Sequence, residues 1–245
     1  MQPDRLQSAQ NVRPVPPSQR LPIWKRTIDL ACCLVALPLL ALLALVMTAV
    51  ARVISPGPVL FCQERVGHLG RRFRIYKFRT MHQGADTKSH QNYFKELINT
   101  NAPMAKLDSH GDSRLVPGCR LLRASGLDEL PQIINVLRGE MSIVGPRPCL
   151  PSEFEEYLPW QRQRCQAVPG LTGLWQVSGK NRTTFDEMIR LDIRYSQTVS
   201  WWLDLKIILA TVPALLRQMA DTRGERKATA TKPGALPSYS TNRAA

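Results

Sequence analysis

Between Leu30 and Ala51 the chain runs for 22 residues without a charged side chain, LACCLVALPLLALLALVMTAVA. At 1.5 Å per residue a helix of that length reaches roughly 30 Å, the thickness of a bilayer's hydrocarbon layer. No other stretch of the sequence restricts the fold so strongly. A secretory signal is excluded by the late start, the length, and Arg52 standing where a small-residue cleavage site would be. A buried core helix is the weaker reading for a run this long. The segment is expected to enter a membrane.

Its flanks bear on topology. Arg5, Arg13, Arg20, Lys25 and Arg26 precede it, against Asp4 and Asp29, while Arg52, Arg65, Arg71, Arg72, Arg74, Lys77 and Arg79 follow, against Glu64. Positive charge marks the cytoplasmic side, and here both flanks carry it. A straight span leaves one of them on the wrong side. Pro38 offers an alternative: it lacks an amide proton and clashes with the Leu34 carbonyl, so it can kink the helix and return it to the face it entered. A re-entrant hairpin and a single span both remain open.

The whole chain carries 33 Lys and Arg against 19 Asp and Glu, a net charge of +14. Such an excess implies a polyanionic partner: nucleic acid, an anionic membrane face or phosphorylated substrates. No helix-turn-helix, zinc module or aromatic RNA-binding pattern is present, and the apolar run speaks against a nucleic-acid-binding protein. Cysteines stand at 32, 33, 62, 119, 149 and 165, and histidines at 68, 82, 90 and 110. No grouping has metal-ligand spacing, so a zinc centre is not expected and the thiols read as reduced and cytosol-facing.

Residues 1–22, with RPVPP, read as a flexible basic arm and 23–54 as the membrane element. Ser55-Pro56-Gly57-Pro58 opens a cytosol-facing domain over 55–220, and 221–245 reads as a mobile tail. Two short strands are expected around Gly67–Gly70. The polar stretch 82–112, with a short helix across Asn92–Ile98, reads as a variable insertion or a lid. Next comes RLLRASGLDELPQIINVLRGEMSIVGPRP at 120–148. Ser125 or Asp128 is expected to cap a short helix, Ile133, Ile134, Val136 and Leu137 to supply its apolar face, and Gly139 to stop it. Two adjacent carboxylates, Asp128 and Glu129, thus lie among Arg120, Arg123, Arg138 and Arg147. They are either helix-start caps with surface ion pairs, or a nucleophile and a metal ligand inside a phosphate pocket. In PGLTGLWQVSGK at 169–180 the glycines imply turns and close backbone approach, and Lys180 and Arg182 are candidates for phosphate contact. Phe185–Tyr195 is expected to be helical, with Phe185, Met188, Ile189 and Asp192 on one side. The apolar helix Ser200–Met219, opening on Trp201-Trp202, belongs either in the membrane interface or against the domain core.

These segments resemble the bacterial sugar transferase family of monotopic phosphoglycosyl transferases, over about residues 23–215. The matching marks are Lys25-Arg26 and Asp29, GPVLF at 57–61, Gln63, Arg65 and Gly67, and YKFRTM at 76–81. They continue with LDELPQ at 127–132, NVLRGEMSIVGPRP at 135–148, PGLTGLWQVSG at 169–179, and Asp192 with Tyr195.

The resemblance implies a mixed α/β fold with a re-entrant helix–break–helix at the cytoplasmic face of the bacterial inner membrane. It implies transfer of a sugar 1-phosphate from a UDP-sugar to undecaprenyl phosphate with release of UMP, initiating exopolysaccharide synthesis. Asp128 is then the nucleophile that carries the phosphosugar, and Glu129 the ligand for Mg²⁺. Lys77, Arg79, Arg123, Arg147 and Lys180 are the implied phosphate-binding residues. The GLTGLWQVSG stretch resembles hexose-using members, with N-acetylated or diamino sugars as the alternative donors. Expected partners also include anionic inner-membrane lipids, a second copy of the chain and downstream glycosyltransferases, with no nucleic acid. At the break, several family members carry Ser-Pro where this chain has Leu37-Pro38, so the bend rests on Pro38. The short architecture, without the multi-helix membrane region of longer relatives, is expected.

Overall fold

A computed structural model describes residues 21–82, 97, 114–179 and 183–230, with side chains to residue 220. The N-terminal arm up to residue 20, the helix expected over 92–98 apart from Leu97, Lys180 with Arg182, and residues 231–245 lie outside them.

The apolar run is the centre of helix α1, Ile23–Val53. Its buried residues are Lys25, Asp29, Cys33, Met47 and Ala51, and partly buried Ala36, Leu40, Leu43, Ala44 and Val50 fill the intervals. Spacings of three and four put all of these on one stripe. Leu34, Val35, Leu42 and Leu45 are exposed on the opposite face. Pro38 is also exposed and lies inside a helix assigned without interruption, so the structure does not divide this element into two helices.

After the link, β1 (Leu60–Val66) and β2 (Arg72–Phe78) form an antiparallel hairpin, with Leu60 opposite Phe78 and Val66 opposite Arg72. The two strands expected around Gly67–Gly70 are therefore present. Ile75 and Phe78 turn inward, and the inner stripe of α1 covers both. Next come α2 (Cys119–Ala124), a 3-10 turn at Leu127–Gln132 and α3 (Ile133–Leu137). Gly139 follows at φ 77, the left-handed conformation that ends a helix and favours glycine. Strands β3 (Ser142–Val144) and β4 (Gly170–Thr172) pair in parallel.

Close backbone approach occurs where the sequence places glycines. A Cβ on Gly145 would strike the Val168 carbonyl, and one on Gly170 would strike the backbone of Gly145. The two segments can cross at this distance only without side chains.

The remaining elements are α4 (Pro151–Glu155), a 3-10 turn at Gln161–Gln166, α5 (Leu174–Val177), α6 (Phe185–Gln197) and α7 (Trp201–Ala230). Thr184 and Glu187 cap α6 reciprocally. Phe185, Met188, Ile189 and Ile193 of that helix pack with Tyr157, Trp175, Cys149 and Cys165. Helix α7 buries Asp204 and Ile207 against the domain and exposes Trp201, Trp202, Leu209, Val212 and Leu216 on its other side. It continues to Ala230, ten residues past the point where a mobile tail was expected. Residues 221–230 contain no proline to stop it, and the next is Pro233.

Candidate active site

The site begins with a turn that glycine makes possible. Gly126, at φ 73, precedes the 3-10 turn, and neither Ser125 nor Asp128 caps it. The cap expectation fails because the chain needs a left-handed residue at that point. Ser125 Oγ donates instead to the Leu122 carbonyl at 3.0 Å. Asp128 and Glu129 stand inside the turn's first residues, with Asp128 only 7% exposed.

Glu129 is gripped by cations from two other elements. Lys77 Nζ, on β2, donates to Oε1 at 2.7 Å. Arg147, in the loop after β3, donates through Nη2 to Oε1 at 3.1 Å and through Nη1 to Oε2 at 3.3 Å. Burial pushes the Glu129 carboxyl up, but Arg147 and Lys77 outweigh it and hold the group well below the usual carboxylate range. Its neighbour behaves oppositely. Burial and the charge of Glu129 lift Asp128 to about 6, against the pull of Lys77, Arg123 and Arg147. At neutral pH both are ionised. One is neutralised by two partners, while among the described residues no hydrogen bond holds the other, which leaves its lone pairs available for attack.

The implied site residues divide. Asp128, Glu129, Lys77 and Arg147 meet, and Arg123 adds its charge beside Asp128. Arg79 does not join them. Its guanidinium is buried and donates to the carbonyls of Ser55 and Pro56, closing the link after α1. Lys180 lies outside the described residues.

Sequence reasoning did not assign Arg65 or Arg164 to the site. Arg65 Nη1 donates to the Pro148 carbonyl at 3.2 Å, and Arg164 Nη2 donates to the Arg147 carbonyl at 2.9 Å. Arg65 belonged to a resembling motif, but nothing local marks Arg164.

Other resembling residues pin α1. Lys25 Nζ donates to the Val144 carbonyl and Tyr195 hydroxyl, each at 2.9 Å, and to Asp204 Oδ2 at 2.5 Å. Asp29 Oδ1 accepts from Ser142 Oγ and Ile143 N, both at 2.8 Å. Arg26 holds the Val136 and Leu137 carbonyls. Helix α1 is thus tied to β3, the strand that leads into the Arg147 loop.

Among the described residues no three His, Cys, Asp or Glu side chains gather around one point. That sparse donor set suits Mg²⁺, which takes one or two carboxylates and completes its shell with substrate phosphates and water. Glu129, held ionised by Lys77 and Arg147, is the carboxylate that would suit such an ion.

The sequence model of a family described as bacterial sugar transferase matches residues 20–218. The UDP-glucose:undecaprenyl-phosphate glucose-1-phosphate transferase of Caulobacter vibrioides is 41% identical over 215 residues, covering 84% of this chain and 75% of that protein. The exopolysaccharide production protein ExoY of Rhizobium meliloti is 38% identical over 194 residues, 78% of this chain and 84% of that one. The galactosyl transferase CpsE of Streptococcus agalactiae is 40% identical over 198 residues, 79% of this chain, and this chain spans 42% of its length.

Proposed function

We infer, for a chain that belongs to the bacterial sugar transferase family, the transfer of a sugar 1-phosphate from a UDP-sugar to undecaprenyl phosphate, the first step of an exopolysaccharide or related glycan. The observation that carries this reading is the carboxylate pair itself. Glu129 is neutralised by Lys77 and Arg147, while Asp128 beside it is buried and ionised at neutral pH.

In the first step a carboxylate oxygen of Asp128 forms a bond to the sugar-side phosphorus of the donor. The bond from that phosphorus to the bridging oxygen breaks, and its electron pair leaves with UMP. In the second step an oxygen of undecaprenyl phosphate attacks the same phosphorus, and the Asp128 carboxylate departs with the electrons of its own bond. No net proton is needed in either displacement. Lys77 and Arg147 hold the donor's phosphoryl oxygens, for which the planar guanidinium fork is suited. Glu129 would hold Mg²⁺, which when bound neutralises diphosphate charge and eases UMP departure.

A hexose is the proposed sugar. The relative named for UDP-glucose is 41% identical, against 34% for an Aeromonas hydrophila relative named for N-acetylgalactosamine. Both halves of α1, on either side of Pro38, contact the same domain. This supports a monotopic placement with both ends at the cytoplasmic face and the exposed faces of α1 and α7 in lipid. The site then sits at headgroup depth, where the acceptor phosphate arrives.

The test is a rapid quench of the purified enzyme with UDP-sugar and Mg²⁺ but no lipid. About one UMP per site should be released and a phosphosugar retained on Asp128 by mass spectrometry. Asp128→Asn should do neither. An adduct on another residue, or near-normal product formation by the verified amide variant, overturns the reading.

A further inference from the structure

Arg147 stands between two prolines in the loop Gly145-Pro146-Arg147-Pro148. Pro148 confines it to extended backbone, so whatever fixes its carbonyl also fixes the direction in which its side chain leaves the loop. That carbonyl is held from behind by Arg164, which is 3% exposed. Arg164 Nη2 donates to the Arg147 carbonyl at 2.9 Å and to Asp192 Oδ2 at 2.5 Å, and Nη1 donates to the Tyr157 hydroxyl at 2.8 Å. Asp192 stands on α6, whose Phe185 and Ile189 are fully buried. The chain of contacts therefore runs from a rigid core helix, through one guanidinium, to the backbone of the residue that grips Glu129.

We propose that Arg164, held by Asp192, is a positioning residue: it sets the peptide of Arg147 so that both Arg147 amines meet Glu129. On the reading of the preceding section, it thereby also aims them at the donor diphosphate. Stability does not by itself account for this pair, since a buried ion pair can often be exchanged for apolar residues without loss. Its geometry does, because a planar five-donor group can serve three acceptors at once, and an ammonium on a flexible stem cannot hold them in one plane. Among the described residues Arg164 is not bonded to Asp128 or Glu129, so its effect on the chemistry passes through Arg147.

The experiment is a double-mutant cycle on the full-length enzyme in detergent. One arm is Arg147→Met. The other is Arg164→Met with Asp192→Asn, which removes the buried pair without orphaning a charge. Each should lower kcat/KM for the UDP-sugar about tenfold to a hundredfold, while KM for undecaprenyl phosphate stays unchanged. In the Arg147→Met background the pair variant should cost less than about a further twofold. Equal losses in both backgrounds mean that Arg164 acts independently of Arg147, and the proposal fails.

Arg164→Lys keeps Asp192 paired and guards against a pair variant that folds poorly. It should show the same loss at an unchanged Tm, and full activity would overturn the proposal. Amide hydrogen exchange across 145–150 in the free enzyme requires no donor. It should accelerate in the Lys variant, and unchanged exchange also refutes the assignment. A wild type that releases no UMP from any UDP-sugar sinks the functional reading alone, because the exchange measurement still decides this one.

Discussion

Replacing Asp128 by asparagine should make the protein more stable while abolishing its proposed chemistry. Asp128 is 7% exposed, and burial together with the charge of Glu129 moves its carboxyl from the ordinary 3.8 to about 6 despite Lys77, Arg123 and Arg147. Between those values the folded protein keeps a proton that the unfolded chain has released. Stability therefore falls as pH rises from about 4 to about 6, and stays at the lower level above. About two powers of ten in proton affinity, at about 1.36 kcal/mol each, set the cost of carrying the ionised group at about 3 kcal/mol. Asp128→Asn keeps the shape and removes the charge. Its gain should approach about 3 kcal/mol at pH 8, roughly 6–12 °C in Tm for a chain of this size, and vanish near pH 4. The assay is thermal unfolding in detergent without divalent cations at both pH values. A variant no more stable than wild type at pH 8, or equally stabilised at pH 4, would refute the argument that burial strains this carboxylate.

Single-turnover UMP release should be half-maximal at about pH 6 and fall about tenfold per pH unit below it, as Asp128 takes up its proton; a flat profile down to pH 5 in stopped-flow quench would contradict it. Lys25→Met leaves Asp204 buried without its cation, so it should cost about 3–5 kcal/mol, most of it recovered by adding Asp204→Leu. Denaturant titration in detergent distinguishes that from a surface pair worth less than about 1 kcal/mol. Gly145→Ala drives a methyl into the Val168 carbonyl and neighbouring backbone, where no side chain can swing aside. A loss of at least about 1–3 kcal/mol is expected along with transfer activity, and wild-type Tm and rate would show that the strands can separate.

Local pattern carried much of the architecture. The uncharged run, the hairpin around Gly67–Gly70 and the buried face of α6 each follow from periodicity within one segment. Of the residues that the resemblance grouped with Asp128, namely Glu129, Lys77, Arg79, Arg123, Arg147 and Lys180, the folded chain pairs Glu129 with Lys77 and Arg147 and turns Arg79 to the link. What periodicity could not reach were pairs whose members lie far apart. Lys25 meets Asp204, Asp29 meets Ser142 and Arg164 meets Asp192 in the interior. A charged residue in a helix gives no local sign of whether it faces water or a distant counter-ion. Arg79 shows the converse. Two positions from Lys77, it would share a strand face with it, but β2 ends at Phe78 and the open carbonyls of the link claim the guanidinium. Asp128 looked like a cap because carboxylates commonly are; a left-handed glycine took that role and freed the side chain.

The ties between α1 and the domain also set an order of assembly. Lys25 finds the Val144 carbonyl 119 residues later and Asp204 after 179. Helix α1 leaves the ribosome long before either partner exists. Until those partners emerge, the Lys25 and Asp29 side chains lack the contacts that hold them in the folded chain. Contacts of such long sequence separation close late and slowly. Packing of the inner stripe of α1 onto the hairpin therefore waits on the folding of the rest of the chain. A nascent chain stopped before Asp204 would lack the buried carboxylate that pairs with Lys25, and its first helix would not yet be locked to the domain.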